Sequence, residues 1–138
     1  MIVVDASVAA LWSLPQDHAD LARDVLGSGI QLIAPSILRL EAANPILRAV
    51  RRGEMRPDQA RRFLEVLLPQ SVQLTQALAD DLRAFEIAHA HGGSVLDAVY
   101  VALAHRVGAR LVTNDRQMHR TAVAAGVRVR LLPEGPPW

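Results

Sequence analysis

Ile2-Val3-Val4-Asp5-Ala6-Ser7-Val8 and Arg110-Leu111-Val112-Thr113-Asn114-Asp115 share one local pattern, and that pattern decides the fold. Each is a short apolar run with an aspartate just beyond it and a helical stretch after that. Runs this short and this apolar read as strands covered on both faces. An aspartate at the exit suits the N-cap of the helix that follows. Working outward, the spacing predicts a strand at Ile2–Val4 and helices at Ala6–Leu14 (stopped by Pro15) and His18–Leu26. A strand at Gln31–Ala34 leads into a helix from Ser36 to about Arg52. Pro57 suits the first turn of a helix, which is expected to run to Leu68 and stop at Pro69. A strand at Val72–Leu74 precedes helices at Gln76–His89 and Ser94–Val107, separated by Gly92-Gly93. The last elements are a strand at Arg110–Thr113, a helix from Asp115 to Ala125 and a strand at Val127–Leu132. Alternating βα units imply an α/β domain with a parallel five-stranded sheet and helices on both faces. Residues 1–132 are read as one domain, and residues 133–138 as a loose C-terminal tail.

Composition narrows the chemistry. The 138 residues contain no cysteine, which excludes disulfide frameworks, thiolate metal sites and cysteine nucleophiles. All 15 cations are arginine, so P-loop and Schiff-base lysine chemistry is excluded too. A net charge of +1 gives no strong global attraction to nucleic acid. No apolar run is long enough to cross a membrane, and no secretory signal is read at the start, so a cytoplasmic location is expected.

Ligands of open α/β sheets bind beyond the carboxyl ends of the strands. Four acids fall there or nearby: Asp5 after the first strand, Glu41 within the helix after the second, Asp97 in a helical first turn and Asp115 after the fourth strand. Capping explains Asp5 and Asp115 equally well, and Ser94-Val95-Leu96-Asp97 matches a capping box. Against that, the helix from Val95 to Ala104 is apolar nearly all round, hence buried, and Asp97 is its one carboxylate. Glu41 shares a helical face with Asn44 and Arg48. If the four acids converge they cannot all stay ionised alone, and an all-oxygen set suits magnesium or manganese. Such a site can activate water for phosphodiester cleavage.

The residues then match a known family. Val4-Asp5-Ala6-Ser7-Val8, Leu40-Glu41-Ala42-Ala43-Asn44, Asp97-Ala98-Val99-Tyr100-Val101-Ala102-Leu103-Ala104 and Leu111-Val112-Thr113-Asn114-Asp115 occur in the order and spacing of PIN-domain nucleases. The chain most resembles the VapC-type toxins of bacterial toxin–antitoxin pairs. The resemblance implies a three-layer PIN-like fold with sheet order 3-2-1-4-5. It implies Asp5 and Asp97 as principal magnesium ligands, Glu41 acting often through water, and Asp115 at the rim. Ser7, Asn44 and Thr113 would orient the carboxylates. The implied activity is endonucleolytic cleavage of RNA, commonly tRNA or rRNA, with a cognate antitoxin obstructing the site and a homodimeric assembly. Pro45 departs mildly, since a kink there would shift Glu41.

Several residues keep two readings. Arg116, His119 and Arg120 could contact RNA or form a solvated helix face. Arg48, Arg51, Arg52, Arg56, Arg61 and Arg62 form basic stretches that could meet RNA or remain exposed charge. Tyr100 could hydrogen-bond into the site or pack in the core, and Trp12 could be core or an anchor for a partner. Three other readings share parts of this pattern: a PIN-type nuclease of RNA processing or DNA repair, a phosphoacceptor receiver domain, and a binding domain whose acids are only caps. The receiver domain needs a lysine near its site, which this chain lacks.

Overall fold

β1 (Ile2–Val4), β2 (Leu32–Pro35), β3 (Gln73–Thr75), β4 (Arg110–Thr113) and β5 (Val129–Leu131) form one sheet in order β3-β2-β1-β4-β5. The computed structural model describes residues 1–138. Every neighbouring pair is parallel, with Val3 opposite Ile33 on one side and Leu111 on the other. Successive strand side chains point to opposite faces. All residues of β1 and β2 are buried, so both faces of the sheet centre are covered. The edge strands β3 and β5 are only partly buried.

The helices are α1 (Ala6–Ala9), continued by a 3-10 turn at Ala10–Trp12, α2 (Ala19–Gly27), α3 (Leu38–Arg51) and α4 (Pro57–Arg62). After α4 come α5 (Leu68–Ser71), α6 (Leu78–His91), α7 (Val95–Val107) and α8 (Arg116–Ala124). The all-round apolarity of α7 has the expected result: Ala98 through Ala104 are all buried. Gly108 ends α7 in the left-handed region (φ 65°), a conformation that costs glycine little. Trp12 is core, and its indole N–H donates to the Ala22 carbonyl at 2.9 Å, tying the first helical segment to α2.

Two local expectations need correction. Helix does not stop at Pro69. A π-helical turn at Phe63–Leu67 joins α4 to α5, and Pro69 sits in the first turn of α5. The wider turn accommodates a residue that lacks an N–H and crowds the preceding turn. The helix read from Ser36 to about Arg52 is present as α3, which stays helical from Leu38 to Arg51 through Pro45. The C-terminal residues are not loose either. Leu132–Glu134 form a 3-10 turn with Leu132 fully buried, and Trp138 packs against the core. Arg110 donates to the Pro137 carbonyl at 2.9 Å, and Arg130 donates to the carbonyls of Gly135 and Pro136. Arginines on the two neighbouring strands β4 and β5 thus hold the tail by its backbone.

The order β3-β2-β1-β4-β5 reverses direction between β1 and β4. That reversal leaves a crevice beyond their carboxyl ends.

Candidate active site

Asp5 stands at the mouth of that crevice and is almost wholly buried, at 2% exposure. Its backbone and side chain cap α1, with Oδ1 accepting from the Val8 amide at 3.1 Å. Ser7 Oγ lies 2.7 Å from Oδ1 and 2.9 Å from Oδ2. Thr113 Oγ1 donates to Oδ2 at 2.6 Å. Both hydroxyls are themselves acceptors, Ser7 from the Asn114 amide (2.8 Å) and Thr113 from the Asp115 amide (2.9 Å). With the backbone amides on their lone pairs, the hydroxyl protons are directed at Asp5. One network therefore locks the end of β1 to the end of β4. Burial pushes the Asp5 carboxyl up to about 6 despite these bonds, and the nearby charge of Asp115 adds to the rise.

Glu41, on α3, is half-buried. The Tyr100 hydroxyl on α7 donates to its Oε2 at 2.5 Å. Burial raises the Glu41 carboxyl above its usual range, the Tyr100 bond lowers it and the charge of Asp97 raises it. Burial first, then the bond to Glu41, pushes the Tyr100 phenol well above its ordinary range, so it remains a donor. Asp97 has its amide bonded to Ser94 Oγ at 3.0 Å, while its carboxylate takes no part in the cap. Asp115 caps α8 through Oδ1, which accepts from Gln117 (2.6 Å) and Met118 (3.0 Å). All four acids line one open cleft of about 510 Å³, together with Ser7, Asn44 and Tyr100. They arrive from four separate elements: the ends of β1 and β4 and the first turns of α3 and α7.

Residues 2–124 match the family model of the PIN domain. The chain is 36% identical over 119 residues to ribonuclease VapC3 of Pyrobaculum aerophilum, covering 85% of this chain and 91% of that protein. The chain is a PIN domain of the VapC type. Among solved structures, Mycobacterium tuberculosis VapC20, described as a sarcin–ricin loop cleaving toxin, superposes with a TM-score of 0.70 at 19% identity. That match covers 92% of this chain and 96% of VapC20. VapBC2 of Rickettsia felis, solved bound to a DNA fragment from its promoter, gives 0.64 at 14% identity, covering 95% and 98%. Both likenesses are of fold.

Carboxylate and amide oxygens and the Ser7 and Tyr100 hydroxyls line the cleft, the kind of donor a hard divalent cation takes. No three carboxylate or imidazole groups come close enough to cage an ion unaided. Magnesium binds through one or two carboxylates and keeps several waters, so a wide all-oxygen arrangement suits it. A closed structural zinc site would require a tight cage rich in nitrogen or sulfur.

The other candidates separate cleanly. Ser7 and Thr113 orient Asp5, and Asn44 lines the cleft beside Glu41. Arg116, His119 and Arg120 do not line it, and Arg120 is bonded to Gln117 Oε1. Sequence reasoning left Tyr100 undecided between site and core, and it serves both. It passed over Asn114, which lines the cleft and whose Oδ1 lies 3.2 Å from His18 Nδ1. The signal available was adjacency: Asn114 immediately precedes Asp115. No helix of the chain is long and apolar enough to cross a membrane.

Proposed function

We propose that this PIN domain is a magnesium- or manganese-dependent endoribonuclease that acts as the toxin of a type II toxin–antitoxin pair. The observation that carries the proposal is the convergence of Asp5, Glu41, Asp97 and Asp115 on one cleft at the sheet's switch point. Asp5 and Asp97 are the principal ligands in this reading, with Glu41 completing the set and Asp115 at the rim. When bound, such an ion acidifies water and offsets charge on the phosphodiester. The protein's own contribution is orientation. Ser7 and Thr113 fix both oxygens of Asp5, and Tyr100 fixes Glu41. Relatedness to ribonuclease VapC3 supports RNA as substrate, with tRNA and rRNA as the classes to try first. The shared fold with VapBC2 supports a cognate antitoxin that obstructs the cleft. A homodimer is the assembly proposed.

The test uses the protein freed of antitoxin and incubated with labelled total RNA in magnesium, manganese or EDTA. Asp97→Asn runs alongside. Discrete cleavage that requires metal and disappears in the variant is the expected result. Metal-independent cleavage, or an Asp97→Asn variant as active as wild type, would overturn the mechanism.

A further inference from the structure

The cleft that gathers four carboxylates contains a single arginine, Arg48. Most arginines of the chain are engaged. Arg23, Arg52, Arg56, Arg61, Arg83 and Arg106 pair with carboxylates. Arg110, Arg120, Arg128 and Arg130 bond to carbonyl or amide oxygens. Arg48 has no such partner, although four acids line the same cleft. Glu41, two helical turns earlier on α3, spends its Oε2 on Tyr100 instead. Arg48 is exposed, so its guanidinium stays hydrated and presents five donors to the cleft.

We propose that Arg48 binds a backbone phosphate of the RNA flanking the cleaved one, and so sets the register of the strand in the cleft. This rests on the ribonuclease reading above. Seven residues of helix separate Arg48 from Glu41, about 10 Å along the axis. That rise sets the Arg48 backbone beyond the carboxylate group, within side-chain reach of a phosphate next to the cleaved one. A polyanion entering a cleft lined by acids needs a fixed cation to offset the repulsion. Arginine's planar fork matches phosphate oxygens in pairs, and its charge is permanent. Asn44 lies between Glu41 and Arg48 on the same helical face and can donate to the intervening backbone.

The substrate for the test is an oligoribonucleotide spanning the site that wild type cuts in total RNA. Arg48→Ala is expected to raise KM about tenfold or more while leaving kcat, the thermal midpoint and the manganese concentration for half-activation unchanged. Arg48→Lys should recover part of the loss, because it restores charge without the fork. In the cleavage-dead Asp97→Asn background, adding Arg48→Ala should lower the salt slope of RNA binding by about 0.7, the loss of one phosphate contact on a single strand. A methylphosphonate scan locates the contact: one flanking neutral linkage should weaken wild type and cost Arg48→Ala nothing further. Unchanged KM, a shifted manganese requirement, or additive losses at every linkage would overturn the proposal while wild-type cleavage still stood. Wild type inert toward total RNA would remove the ribonuclease reading and this proposal with it.

Discussion

Asp5 offers the sharpest quantitative prediction, because its burial works against its charge. Its carboxyl rises from 3.8 to about 6 in the fold, mainly through desolvation. The folded state therefore holds a proton that the unfolded state has already released between those two values. Stability from this group is fully present below pH 4, is lost as pH rises, and stays lost above pH 6. A gap of about 2 units at 1.36 kcal/mol each is worth about 3 kcal/mol. Asp5 is 2% exposed, so solvent screening does not shrink the figure much. Asp5→Asn removes the charge while keeping the shape and an acceptor for the Val8 amide. In EDTA at pH 8 the variant should be more stable than wild type by up to about 3 kcal/mol, or roughly 10 °C in Tm for a chain of this size. Near pH 4 the advantage should vanish. Urea melts of both proteins across that range cancel the titration of groups they share. A variant less stable than wild type at pH 8, or a difference that does not change with pH, would refute the argument. Manganese should then reverse the order at pH 8 by stabilising wild type alone.

Three further perturbations follow from the same contacts. Tyr100→Phe removes the donor at Glu41 Oε2 and should lower kcat about tenfold by freeing the carboxylate, with a stability cost of about 1 kcal/mol; kinetics and a melt check both. Arg106 holds Asp80 through two bonds of 2.7 and 2.8 Å, but Asp80 is 4% exposed while the Arg106 side chain is 41% exposed. Arg106→Ala strands a buried carboxylate and should cost about 3 kcal/mol, against about 1 kcal/mol for Asp80→Ala, whose orphaned arginine can rehydrate; equal losses in urea would contradict this. Deleting Trp138 should lower Tm by a few degrees, since it packs against the core, and no change would show that the docked tail carries no stability.

What could be read from the chain follows the range of the interaction involved. β1 is a three-residue apolar run ending at Asp5 and β4 has an apolar centre, Leu111-Val112, between Arg110 and Thr113, and both strands lie where the local pattern predicts them. The continuity of the helix across Pro69 was not visible, because it depends on how the neighbouring turns relax around a missing N–H, whereas α3 runs through Pro45 as its pattern predicts. Tail docking was hidden for another reason. Its bonds run from Arg110 and Arg130, and arginine side chains leave no periodic trace of where they reach. The pairing of Asp80 with Arg106 spans 26 residues and that of Tyr100 with Glu41 spans 59. Neither has a local signature. The four acids were legible as a set only through their order and spacing along the chain, whereas their meeting in one cleft is a property of the sheet topology.

The two explanations offered for the acids, helix caps or site ligands, prove compatible. Asp5 and Asp115 are both caps, and both line the cleft. A strand running into a helix at the switch point places the cap residue at the crevice by construction. Capping then becomes a means of aiming the carboxylate. In Asp115 the two amides of Gln117 and Met118 converge on Oδ1, which leaves Oδ2 without a protein partner. In Asp5 the cap takes part of Oδ1 while Ser7 and Thr113 clamp the rest. The more tightly held acid is the more deeply buried one, and only it is pushed up to about 6. An acid meant only as a cap would gain nothing from that burial, because an exposed aspartate caps as well without the desolvation cost. Burying Asp5 at the expense of stability makes physical sense if a cation arrives to offset its charge, and the pH-dependent advantage of Asp5→Asn measures the size of that imbalance.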